Sequence, residues 1–211
     1  MIGELLNHRE VSVVLASTSP RRKELLTEAG WKFTVCPPKI DESIFSAEQS
    51  DPFEYVEKLA LAKAESVAAK YPDHLVIGAD TIAYLDGRII GKPADAEDAK
   101  RITKKLFSAP HKVITALAIV RLSDDTKLVK SDMTIIYPRQ ISEQQILEHI
   151  KSDSWQNKAG AYAIQQAGDE FVEKIEGSLT NVMGLPMELL DRMLGKIIKR
   201  NSNIRPASEP Y

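Results

Sequence analysis

The segment Ser17-Thr18-Ser19-Pro20-Arg21-Arg22 combines hydroxyls and two permanent cations, and it follows the apolar, β-branched run of residues 11–16. A polar loop that opens a helix points backbone N–H groups and the positive end of the helix dipole at one spot, where anions bind. Ser17 and Ser19 add donors there. Arg21 and Arg22 add forked guanidinium groups, so the whole suits a polyphosphate. An ordinary helix cap with two solvated arginines leaves the same pattern; the doubled arginine favours the anion.

A second cation is placed by helical geometry. With about 100° per residue, Val56, Ala60 and Val67 define an apolar stripe, and Lys63 falls at its middle. A lysine facing inward needs a carboxylate or a ligand anion to offset its desolvation, unless its stem snorkels to water. Asp80 follows the apolar run Leu75-Val76-Ile77-Gly78-Ala79 and is expected at the end of a buried strand, a common place for active-site groups in open α/β sheets. A carboxylate there can hold a divalent metal or take a proton from water; an aspartate bonding backbone N–H groups after a strand is the plainer alternative. Lys92, in Gly91-Lys92-Pro93, adds a cation, and Asp41-Glu42 adds acids able to complete a metal site. Gln165 offers the donors and acceptor needed to read a base edge, and equally suits a turn. His111, Trp31, Trp155 and Cys36 read as packing or surface residues, since no second histidine stands at a ligand or catalytic spacing.

The elements that must position these groups follow from local signals. Pro20 suits a first helical position, with the helix running to about Glu28 and closed by Gly30. A second strand is expected over residues 32–36. Asp51-Pro52-Phe53-Glu54 opens a helix reaching about Lys70, and Asp86-Gly87 turns a hairpin after the strand at 75–79. Asp95 caps another helix. Two β-rich segments, near 112–122 and 127–137, flank the turn Ser123-Asp124-Asp125. Ser142-Glu143-Gln144-Gln145 is a capping box, residues 160–181 alternate short strands with loops, and Pro186 opens a last helix to about Ile198.

With 211 residues, 43% hydrophobic and 27% charged, the chain has the composition of an ordinary globular protein. The expectation is one α/β domain over residues 1–200 with a mixed central sheet flanked by helices, and a mobile tail over 201–211. A net charge of −2 gives no global field to recruit nucleic acid or an anionic membrane, so an anionic ligand must be held by local cations. The single cysteine excludes an internal disulfide and suits a reducing, cytoplasmic setting. The first ten residues lack the pattern of a secretion signal, and no run is long enough to span a membrane.

Several spaced motifs together resemble the Maf family: Leu15-Ala16-Ser17-Thr18-Ser19-Pro20-Arg21-Arg22, Ala62-Lys63-Ala64, Gly78-Ala79-Asp80-Thr81, Gly91-Lys92-Pro93, Lys158-Ala159-Gly160-Ala161-Tyr162-Ala163-Ile164-Gln165 and Asn181-Val182-Met183-Gly184-Leu185-Pro186. The match runs from about Val11 to Leu194. The resemblance implies a two-lobed fold of the Maf and ITPase kind with a cleft between the lobes. It implies a nucleoside triphosphate pyrophosphatase cutting between the α and β phosphates, active on dTTP and UTP and not on 7-methyl-GTP, and a homodimer. Asp80 matches the family's catalytic base; Glu42, Lys63 and Lys92 match further active-site positions; Arg21, Thr81 and Gln165 match positions tied to substrate choice. Gln166, where the family has glycine, and Ala116, near a usual glycine, depart from the pattern.

The expected mechanism has Glu42 and Asp80 placing Mg²⁺, Mn²⁺ or a similar cation, with Asp80 also acting on the attacking water. Ser17, Ser19, Arg21, Arg22, Lys63 and Lys92 would hold the triphosphate. A nucleotide-binding regulator of division or stress with incidental turnover is the rival reading. A nucleotidyltransferase would also use a basic loop and metal carboxylates, yet no motif for a second substrate is present.

Overall fold

A computed structural model describes residues 11–47, 51–152, 155–156, 159–161 and 171–202; Gln165 and Gln166 lie outside the described residues. All four residues of β1 (Val13–Ala16) are buried, and it runs parallel to β2 (Thr34–Val35) on one side and β3 (Leu75–Leu85) on the other. A strand covered on both faces requires an unbroken apolar run, which Val13-Val14-Leu15-Ala16 supplies. Between β1 and β2 lies α1 (Pro20–Glu28), with Pro20 in its first turn and Gly30 just beyond its end at φ 74°. Helix α2 (Pro52–Ala68) starts where Asp51 accepts from the N–H groups of Phe53 and Glu54 at 2.9 and 3.0 Å.

After β3, Asp86 and Gly87 take φ of 50° and 75°, the left-handed pair that a tight hairpin needs, and β4 (Arg88–Ile90) returns antiparallel. Then follow α3 (Ala96–Leu106), capped by Asp95, and the antiparallel pair β5 (His111–Arg121) and β6 (Thr126–Pro138). The capping box of Ser142 and Gln145 opens α4 (Glu143–Lys151). Among the described residues of 160–181, the regular elements are the end of a 3₁₀ turn, β7 (Val172–Glu176) and the short α5 (Leu179–Val182). Helix α6 (Met187–Ser202) continues past Ile198, so Asn201 and Ser202 belong to the helix and not to the tail. The strands form one seven-stranded mixed sheet in the order β2-β1-β3-β5-β6-β7, with β4 on β3.

Strand β3 differs from expectation in a way that matters for the site. It does not end at Ala79 but runs on to Leu85, so Asp80 stands in mid-strand. The physical reason is β5, which pairs with β3 without a break from Val76 to Tyr84 and satisfies the backbone on either side of Asp80 and Thr81. On the opposite edge, β1 pairs with β3 only as far as Gly78 and β4 begins at Ala83. Among the described residues, 79–82 therefore have a strand neighbour on one edge alone.

One face of the sheet packs Leu15, Ile77, Leu117 and Ile119 against Leu26 of α1 and Leu190 and Leu194 of α6. The other packs Val14, Val76, Ile114 and Ala118 against Val56, Ala60, Ala64 and Val67 of α2. A third cluster joins Leu85 of β3, Val113 of β5 and Ile136 of β6 to Ile102 and Leu106 of α3 and to Trp155. At Gly78 the approach of α2 is closest: a Cβ there would stand 2.4 Å from the Ala60 carbonyl oxygen and 2.7 Å from the Ala64 nitrogen. Alternation along β3 turns Asp80 to the same face as Gly78, towards α2.

Candidate active site

Lys63 lies on the buried stripe of α2, with a side chain 10% exposed. Its ammonium donates to Asp80 Oδ1 at 2.5 Å and pairs with Glu42 Oε1 at 2.8 Å. Glu42 in turn meets Lys92 at 3.5 Å through its other oxygen. The four side chains thus alternate in charge, Lys92, Glu42, Lys63, Asp80, and run from the surface inward. Desolvating an ammonium costs several kcal/mol, and two carboxylates in contact with it are what offset that cost here. The helical wheel's placement of Lys63 and the presence of an acid beside it are both observed.

Glu42 reaches this position from a 3₁₀ turn (Glu42–Ile44) that Asp41 caps. Asp41 accepts from the Ser43 nitrogen at 2.9 Å and the Ser43 hydroxyl at 2.6 Å. It supports the turn and does not join Lys63, which corrects the expectation that both acids share the site. Burial pushes the Glu42 carboxyl up, but the hydrogen bond and charge of Lys63, followed by Lys92, outweigh burial and hold it below the usual range. Tyr55 on α2 is raised, first by burial and then by the charges of Asp80 and Glu42. It borders the acids, and its place in the α2 sequence marked it only as an aromatic.

The loop at 17–19 meets the same region from the other side. Ser17 is buried, and its hydroxyl accepts from the Ser19 nitrogen at 3.1 Å. Ser19 holds the N-cap position of α1 without a side-chain cap bond. Arg22 was expected to hold phosphate, yet four of its N–H directions are engaged within the protein. Nε donates to the Gly184 carbonyl at 2.7 Å, Nη1 to the Ala79 carbonyl at 2.8 Å and Ser17 Oγ at 3.4 Å, and Nη2 to Thr81 Oγ1 at 3.2 Å. It brackets the open edge of β3 to the loop before α6. Burial lowers its pKa, opposed by the charges of Asp80 and Glu42, so it stands within electrostatic reach of both acids. Arg21, one residue earlier on α1, is half-buried.

On the α6 side of the sheet, Thr81 joins a hydroxyl relay that the sequence reading missed. Thr81 Oγ1 lies 3.0 Å from Thr115 Oγ1, its cross-strand partner on β5, and Thr115 donates to the Asn181 carbonyl at 2.8 Å. Asn181 is buried, and its amide donates to the Val113 carbonyl at 3.0 Å and Thr134 Oγ1 at 2.9 Å. A threonine on a strand and an asparagine before a glycine look ordinary one at a time. The only sequence signal was Asn181 opening one of the spaced motifs.

Two carboxylates, Glu42 and Asp80, meet at the Lys63 ammonium. That donor set fits a hard divalent ion of the Mg²⁺ type, which binds through one or two carboxylates together with substrate phosphates and water. Among the described residues no cluster of three or more His, Cys, Asp or Glu forms an all-protein metal cage. No helix among them is long and apolar enough to cross a membrane.

The chain is similar to several known proteins. A dTTP/UTP pyrophosphatase of Citrifermentans bemidjiense is 43% identical over 189 residues, covering 88% of this chain and 97% of that protein. A protein of the same name from Elusimicrobium minutum is 43% identical over 184 residues, covering 87% and 97%. The Ham1 protein of Staphylococcus aureus, a solved structure, aligns over 88% of this chain and 98% of its own with 13% identity and a TM-score of 0.49. The family model described as Maf-like protein matches residues 12–197, a span that contains the Lys92, Glu42, Lys63, Asp80 series and the 17–22 loop, and the chain belongs to the Maf family.

Proposed function

We propose that the chain hydrolyses dTTP and UTP, and modified pyrimidine relatives of them, to the monophosphate and pyrophosphate. The observation that carries this reading is Lys63 held between Asp80 and Glu42, beside the helix-opening loop that bears Ser17 and Arg21. The names of relatives about as long as this chain support the choice of nucleotide.

In this mechanism, Ser17, Ser19 and Arg21 and the N-terminus of α1 receive the triphosphate, with Lys92 on its outer side. Lys63 holds the Asp80 carboxylate in place through their hydrogen bond. Asp80 orients the attacking water and accepts its proton, while the water oxygen bonds to phosphorus and the α–β bridging oxygen leaves with pyrophosphate. Glu42 and Asp80 would hold Mg²⁺ or Mn²⁺, which when bound supplies charge neutralisation on the phosphate oxygens. Arg22 shapes the wall behind the substrate, and Thr81 and Gln165 set the choice of nucleotide. A cytoplasmic homodimer is part of the same proposal, supported by the single cysteine and by the family resemblance.

The test is pyrophosphate release from a panel of nucleotides with Mg²⁺ or Mn²⁺. Release from dTTP and UTP is expected, with Asp80→Asn slower by roughly 100-fold or more, the usual worth of a positioned base. An Asp80→Asn protein as fast as the parent removes Asp80 from this role. Binding of nucleotides without turnover by the parent favours a regulator instead.

A further inference from the structure

The direction of one hydrogen-bond chain is fixed by the protein, and it decides what Thr81 can offer a ligand. Thr115 has one hydroxyl proton, and it goes to the Asn181 carbonyl, which can only accept. In the 3.0 Å contact between the two threonine hydroxyls, Thr115 is therefore the acceptor and Thr81 the donor. The Thr81 oxygen also accepts from Arg22 Nη2. With its proton and one lone pair committed, a single lone pair remains on Thr81 Oγ1.

Thr81 is half-buried, lies next to Asp80 and belongs to the stretch of β3 that has, among the described residues, no strand on one edge. Beside it, Gly184 has φ 100°, and a Cβ there would come within 3.3 Å of Thr81 Oγ1, so glycine keeps the approach to the hydroxyl clear.

We infer that Thr115 is a positioning residue that turns Thr81 into an obligate hydrogen-bond acceptor, and that Thr81 thereby selects pyrimidines carrying an N3–H donor over those with an N3 acceptor. This rests on the reading of the site as one for dTTP and UTP. Thymine and uracil present N3–H to the free lone pair. Cytosine presents a lone pair to a lone pair, and Thr81 cannot rotate its proton outward without breaking the relay. Arg22 and Asn181 hold the relay at its two ends. Hydroxyls usually read donors and acceptors alike; this one is set to read only donors.

The experiment is the ratio of kcat/KM for UTP to that for CTP, measured by pyrophosphate release with Mg²⁺ in the parent, Thr115→Val and Thr115→Ser. Valine keeps the branched shape on β5. The Asn181 carbonyl keeps a donor in the Gly184 N–H at 3.0 Å, so no orphaned carbonyl is created there. With valine, the Thr81 proton is released to face the base, and the UTP/CTP ratio is expected to fall roughly tenfold, the factor that about one hydrogen bond makes, chiefly through a gain on CTP. Serine restores the proton path and the parent ratio. Thr115→Ala replaces valine if the valine protein does not fold. A folded valine or alanine variant with the parent ratio overturns the inference, as does an equal loss on both nucleotides or a serine variant as relaxed as valine. A parent that releases no pyrophosphate from either nucleotide overturns the functional reading and the inference with it, whereas an active parent with an unmoved ratio overturns the inference alone.

Discussion

Replacing Lys63 by methionine removes the ammonium while keeping an unbranched stem of similar volume on the buried stripe of α2. Lys63 and Asp80 have side chains 10% and 13% exposed, so their contact is close to a buried pair. Removing one partner of such a pair costs about 3–5 kcal/mol, most of it the penalty on the charge left behind. Glu42, at 44% exposed, can turn to water and contributes little. Allowing for the remaining solvent contact of Asp80 leaves about 2–3 kcal/mol. For a chain of this length that is a fall in melting temperature of about 4–12 °C.

The loss should also depend on pH. Lys63 contributes to holding the Glu42 carboxyl below its ordinary value of 4.5. A depressed acid stabilises the fold above its ordinary pKa and gives up that contribution as pH falls through the lowered value. The gap between parent and Lys63→Met is therefore full at neutral pH and narrows below 4.5. Urea denaturation at neutral pH and near pH 4 measures both. Adding Asp80→Asn to Lys63→Met should recover at least about half of the loss, because the stranded charge is gone. A neutral-pH loss under about 0.5 kcal/mol, or a double variant no more stable than Lys63→Met, would refute the ion-pair account.

Two further outcomes follow from backbone approach and from bond count. Gly78→Ala drives a methyl into the α2 backbone at Ala60 and Ala64, where nothing flexible can yield, and should cost about 3 kcal/mol in thermal or urea unfolding. A variant as stable as the parent would show that α2 can lift without penalty. Arg22→Lys keeps the charge but cannot span the Ala79 and Gly184 carbonyls, and it should lose about 2 kcal/mol, close to Arg22→Met; full rescue by lysine would show that charge alone is what Arg22 supplies.

Much of the site is legible where a local rule carries it. The apolar period around Val56, Ala60 and Val67 is enough to turn Lys63 inward, and Asp51-Pro52 fixes where that helix begins. Asp80 is found for an incomplete reason: the polar pair Asp80-Thr81 mimics a strand end, and only the partner β5, some 35 residues away, keeps the strand going. Asp41 and Glu42 are indistinguishable by composition, and the fold separates them by using one as a cap. Arg22's partners within the protein are not legible from its neighbourhood, since its acceptors Ala79 and Gly184 lie 57 and 162 residues on. Thr115 carries no local mark and Asn181 only its place at the head of a spaced motif, because their meaning lies in proton direction across three elements. Gln165 lies outside the described residues.

The one-sided stretch of β3 has a bearing on association as well as on chemistry. An exposed strand edge is a template on which another chain can add itself, the route to swapping and fibrils. Here the window is bounded at both ends, by β1 at Gly78 and by β4 at Ala83, and the Ala79 carbonyl within it is already taken by a side chain. Four residues are fewer than a typical strand needs to dock. The sheet can thus leave a stretch of backbone without a strand partner among the described residues beside the Asp80 carboxylate and still give a stray peptide nowhere to lie down.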